Sequence, residues 1–185
     1  MRIFFAIDFP QDIKEILLFK ITLFKKIFKD FKWIKMPALH LTIKFIGEVD
    51  ESFIPDIYKQ LKQPLQSIRP FTLRSTRTGF FPDHRRPRVF FLGLMESDAL
   101  QSCFKTIDEN LANIGIAGET RGFHPHITLA RIKNNRLTSE DARQLLQETI
   151  SEMTIDVNEI ILMQSELLPS GARYTPVQRF SLRTK

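Results

Sequence analysis

Short apolar runs alternate along the chain with stretches whose apolar residues recur every three or four positions. Ile3-Phe4-Phe5-Ala6-Ile7 is an unbroken apolar run of strand length, which reads as a buried strand. Behind it, Ile13, Leu17, Ile21, Phe24 and Phe28 follow helical steps and trace one face of a 3.6-period helix, with Pro10 suited to its start. The segment His40-Leu41-Thr42-Ile43 alternates polar with apolar and reads as a strand. Ile54, Ile57, Leu61 and Leu65 then predict a helix over 52–67, and Phe71 to Arg77 a further strand.

The series then repeats. His126-Ile127-Thr128-Leu129 lies 86 residues beyond His40-Leu41-Thr42-Ile43. The same offset carries Ile3–Ile7 onto Val89-Phe90-Phe91-Leu92-Gly93. Leu100, Phe104, Ile107, Leu111 and Ile114 predict a helix opening at Ser97. A helical pattern over 139–152 carries Ala142, Leu145, Leu146 and Ile150, with Met153 close by. Thr138 with Asp141 three residues on resembles a capping box. Ile155 to Met163 closes the series as a strand. Each half reads strand, helix, strand with His-x-Thr, helix, strand, the signature of an internal duplication.

An α+β fold follows from this order. The expectation is a bilobal, pseudo-twofold molecule, each lobe a mostly antiparallel sheet with helices on its outer side. The site would lie in the central cleft, with the two His-x-Thr strands facing each other across it. No Gly/Ser-rich linker divides the chain. Residues 1–185 are therefore read as a single domain, with repeats of roughly 1–86 and 87–185 and lobes that share strands.

On a strand, residues i and i+2 project to one side. His40 and Thr42 thus share a face, as do His126 and Thr128, while Leu41 and Ile127 turn to the core. Two imidazoles can hold opposite protonation states near neutral pH, one taking a proton from a nucleophile and one giving a proton to a leaving oxygen. Two hydroxyls can donate to non-bridging phosphate oxygens. The combination suits phosphoryl chemistry and needs no metal or other cofactor. Lys44 falls on the same alternating face and is expected to reach the cleft. Arg131 should face away unless a bulge intervenes. Phe5 is read as core rather than cleft wall. His124, in His-Pro-His, could orient the site, and Pro125 would stiffen entry into the strand.

Composition narrows the partners. The chain has 27 Lys and Arg against 21 Asp and Glu, a net charge of +6, which favours a polyanion such as RNA. Arg85, Arg86 and Arg88 surround His84 and Pro87 in a loop that is either a solvated charge run or a phosphate-contacting flap. A single cysteine, Cys103, excludes a disulfide framework and a Cys-based zinc site, and His-Pro-His lacks the further ligands of a metal site. The N-terminal apolar run stops at Asp8, too short for a signal peptide. No stretch has the length of a membrane span. A soluble, cytoplasmic monomer is expected.

These residues resemble the 2H phosphoesterase superfamily, whose signature is a pair of His-x-Thr motifs, and within it the RNA 2',3'-cyclic phosphodiesterases, also called 2'-5' RNA ligases. The resemblance runs through Ile3–Pro10, Leu39–Val49, Phe81–Leu94, Phe123–Arg131 and Gly171–Pro176. It implies hydrolysis of an RNA or nucleotide 2',3'-cyclic phosphate to a 2'-phosphate, with reversible 2'-5' ligation. It implies His126 as proton acceptor, His40 as proton donor, and Thr42 and Thr128 as phosphate ligands. Arg173 and Tyr174, in the last segment, would stack on or clamp the nucleotide, or serve the fold. The alternative is a non-catalytic module of the same fold that binds a nucleotide or RNA end.

Overall fold

The computed structural model describes residues 1–120, 122–133, 137–147, 150–169 and 171–183. The strands are β1 (Arg2–Asp8), β2 (Lys32–Trp33), β3 (His40–Glu48), β4 (Phe71–Phe81), β5 (Val89–Leu94), β6 (His126–Arg131), β7 (Thr154–Val157), β8 (Glu159–Leu168) and β9 (Gly171–Ser181). The helices are α1 (Gln11–Ile27), α2 (Ile54–Gln66), α3 (Asp98–Ala112) and α4 (Ser139–Gln147). The sheet runs β7-β4-β5-β6-β3-β1-β8-β9, with β2 pairing β6 off this path. The pairings are antiparallel.

The His-x-Thr strands do not face each other across a gap between sheets. They are neighbours at the centre, and Leu41 opposite Ile127 is their one bridging pair among the described residues. Two half-sheets therefore meet at a single bridge, one repeat's histidine strand on each side. The apolar predictions hold for most of the helical positions, but Leu146 on α4 is exposed. Ile13, Leu17, Ile21 and Phe24 are buried on α1, Ile57, Leu61 and Leu65 on α2, Leu100, Ile107 and Leu111 on α3. These and Leu145 of α4 join Ile3, Phe5, Ile7, Leu41, Ile43, Phe90, Ile127 and Leu129 in one cluster. Phe5 is thus core. A smaller cluster of Phe4, Ala6, Ile161 and Met163, with Tyr174 against it, lies on the opposite sheet face.

Three expectations change. The run Ile155–Met163 is not one strand. It breaks at Asn158, β7 pairing β4 in one half-sheet and β8 pairing β1 in the other. The first-strand offset is one residue shorter than that of the histidines, because Asp8 pairs with His40 while Gly93 pairs with His126. Of the helix expected over 139–152, Ser139–Gln147 is helical, 150–152 are not, and 148–149 lie outside the described residues. Strand exchange accompanies these changes: β4 completes the half-sheet of the second repeat, and β8 with β9 completes that of the first. Among the described residues no helix is long and apolar enough to cross a membrane.

Candidate active site

His40, Leu41 and Thr42 alternate as expected, the two polar residues partly exposed and Leu41 buried. The alternation then breaks. Ala6 pairs with Thr42 and Phe5 with Lys44, leaving Ile43 as an extra residue on β3. On β6, Phe91 pairs with Thr128 and Phe90 with Ala130, leaving Leu129 extra. These are β-bulges at the same place in both repeats, and each reverses the side to which the next residues of its strand point. Lys44 is thereby turned to the helix-covered face, 4% exposed. There its ammonium donates to Asp108 Oδ1 at 2.5 Å and to the Ala117 carbonyl at 2.9 Å. The expectation that Lys44 reaches the cleft is corrected. Phe45 and Arg131 take its place on the histidine face, and Arg131 is exposed.

Each ring sits beside a backbone carbonyl. His126 Nδ1 donates to the His124 carbonyl at 2.7 Å. The Ala38 carbonyl, again two residues upstream, favours the protonated His40 ring, and His40 Nε2 lies 3.0 Å from Thr42 Oγ1. A neutral imidazole whose Nδ1–H is held by a carbonyl presents Nε2 as a lone pair. For His126 the tether fixes the tautomer that leaves Nε2 available for proton transfer; at His40, Nε2 is shared with the Thr42 hydroxyl.

Aromatic rings wall the pair. Phe4 and the edge of Tyr174 lie 5.0 and 5.1 Å from the His40 ring. Phe81 and Phe91 lie 4.9 and 5.5 Å from that of His126. Burial pushes the His40 imidazole down to about 4, against the pull of Asp8 and of the Ala38 carbonyl, and Lys14 and His126 push it the same way as burial. Burial also lowers His126. The His124 carbonyl resists, and the charges of His124 and Arg131 add to the lowering. Both rings are neutral at pH 7 in the free site, yet each keeps a partly exposed edge through which an anion can reach it.

The remaining candidates separate. Tyr174 stands against His40 and Phe4. Arg173 is its neighbour on β9 and projects the other way, where Glu166 holds it at 2.9 Å. Arg173 thus lies on the side of β9 away from Tyr174, exposed beside Glu166. Arg85, Arg86 and Arg88 are exposed in the β4–β5 loop. Asp83 accepts from the backbone of Arg85 and Arg86, and Arg88 Nη1 donates to the Lys133 carbonyl at 3.4 Å. Val89, next after Arg88, pairs with Arg131, so the loop lies at the Arg131 end of the site. Sequence reading missed Asp8, Phe4, Phe81, Phe91 and Phe45 as neighbours of the site. Comparing the repeats signals the bulge: Lys44 has Ala130 as its equivalent, which a shared phosphate contact would not allow.

Comparison with known proteins decides the family. A profile described as the 2'-5' RNA ligase superfamily matches residues 23–167. The chain belongs to the 2'-5' RNA ligase superfamily. A relative from Methanocaldococcus jannaschii, named RNA 2',3'-cyclic phosphodiesterase, is 33% identical over 97% of this chain and 100% of its own. One of the same name from Thermus thermophilus is 32% identical over 99% and 91%. Among solved structures, TT0787 of Thermus thermophilus superimposes with a TM-score of 0.82 at 28% identity, covering 99% of this chain and 98% of that one. The E. coli LigT complex with 3'-AMP gives 0.75 at 28% identity, with the same coverage.

Proposed function

We propose that the protein hydrolyses the 2',3'-cyclic phosphate of an RNA end or nucleotide to a 2'-phosphate, using His126 as base and His40 as acid. One observation supports this most directly: two partly exposed rings on adjacent strands, each beside the carbonyl two residues upstream and followed two residues on by a threonine. The names of the relatives supply the substrate class. His126 Nε2 takes a proton from water as the new O–P bond forms. The bond from phosphorus to O3' breaks, and the imidazolium of His40 protonates the departing oxygen. The hydroxyls of Thr42 and Thr128 donate to the non-bridging oxygens as charge builds there. The bound phosphate anion raises both imidazoles, which supplies the proton that His40 lacks in the free site. With a 5'-hydroxyl in place of water, the same displacement joins two ends by a 2'-5' linkage.

The test is the product formed from 2',3'-cyclic AMP in the presence of EDTA. The expected product is 2'-AMP alone. Tight binding without turnover would replace the enzyme by a binding module, and activity restored only by a divalent ion would remove the metal-free scheme.

A further inference from the structure

The two histidines are matched in bulge and threonine, yet their cross-strand partners differ. His40 faces Asp8 directly across the β1–β3 ladder, and side chains so placed are near neighbours. His126 faces Gly93 at the equivalent place on β5. That place is closed to a carboxylate: a Cβ on Gly93 would come within 2.5 Å of Thr76 Oγ1 and 3.2 Å of the Arg77 carbonyl. Asp8 is in turn held by Lys14, in the first turns of α1, at 2.6 Å.

We propose that Asp8 is the positioning residue that makes His40 the acid of the pair, with Lys14 as its counterweight. The inference rests on the two-histidine reading and adds what divides the labour between near-identical repeats. The groups acting on His40 are Asp8 from β1, Lys14 from α1 and His126 from β6, with the uncharged edge of Tyr174 from β9 and the Thr42 hydroxyl from its own strand. Asp8 is the one anion among them. Its carboxylate favours the imidazolium and orients the developing positive charge when the phosphate arrives. His126 has Arg131 and His124 for neighbours instead, both of which disfavour the imidazolium and suit a base. The Lys14 ammonium, shared with Asp8, limits how far Asp8 raises His40. A site with a full unpaired carboxylate would hold its proton too tightly to give it up.

The experiment compares wild type, Asp8→Asn and Lys14→Met in the full chain. His40 is titrated by NMR, free and with 2'-AMP, and kcat is followed against pH on 2',3'-cyclic AMP. Asp8→Asn should lower the His40 midpoint and the alkaline limb of kcat by about one pH unit, and Lys14→Met should raise both. A second substrate, 3'-deoxyadenosine 2'-(p-nitrophenyl phosphate), has a leaving group that departs without a proton. On it both variants should match wild type. Equal slowing on both substrates, or a His40 titration that neither variant moves, would overturn the proposal while the two-histidine reading stands. A wild type that leaves the cyclic nucleotide intact would overturn both.

Discussion

At position 40 one imidazole meets opposed demands, since a fold that buries it favours the neutral ring and an acid must carry a proton. The cost is readable as pH dependence of stability. The unfolded ring binds its proton at 6.5 and the folded one at about 4, so the unfolded chain binds more protons between those values. The stability tied to this ring is therefore complete above pH 6.5 and is lost as pH falls toward 4, by about 2 kcal/mol once the exposed edge is discounted. Denaturant midpoints measured over that range should fall in wild type and fall less in His40→Asn; equal slopes would contradict the assignment. For turnover, His40→Ala and His126→Ala should each cost ~10²-fold or more, and the double variant little beyond either. Initial rates on 2',3'-cyclic AMP check this. The polar pair of each motif was legible because two-residue alternation needs no tertiary information. Lys44 was not, because an inserted residue in a strand leaves no mark in one sequence until both repeats are laid side by side.

Elements show the same division between local and distant causes. Helix starts were readable because caps are local. Ser97 accepts from the Leu100 amide, and Thr138 and Asp141 bond each other's amides at 3.0 Å. The bulges were not, since one repeat read alone carries no local mark of an inserted residue. On β3 the displaced Lys44 is 3% exposed by side chain in its pair with Asp108, and Asp108 also accepts from the Glu119 amide. Lys44→Met should destabilise by about 3 kcal/mol by stranding that carboxylate, and Lys44→Met with Asp108→Leu should recover much of the loss. Thermal or denaturant melts measure both. Gly79 supports the other wall, for a Cβ there would lie 2.6 Å from Phe91 Cζ. Gly79→Ala should displace the ring beside His126, cost about 1 to 3 kcal/mol, and slow turnover beyond what the lost stability explains.

Over the whole molecule, charge and connectivity matter more than any one contact. The excess of 27 basic over 21 acidic residues and the exposed arginines at the Arg131 end suit a strand longer than the reacting nucleotide. Replacing Arg85, Arg86 and Arg88 with Ala should reduce the salt slope of oligonucleotide binding by about two and leave a mononucleotide nearly unaffected; equal change for both would remove the loop from RNA contact. The α+β class and the duplication were legible from periodicity. Which strands cross was not, because pairing partners far apart in the chain leave no local pattern. The crossing has a consequence for synthesis. β1 leaves the ribosome well before β8 and β9, which cover its outer edge. Until then a strand of Ile3, Phe4, Phe5, Ala6 and Ile7 has an unpaired flank, a template for pairing with other nascent chains. The protein's most vulnerable moment is thus the wait for β8 and β9, and a variant lacking these two strands should yield aggregate rather than a smaller enzyme.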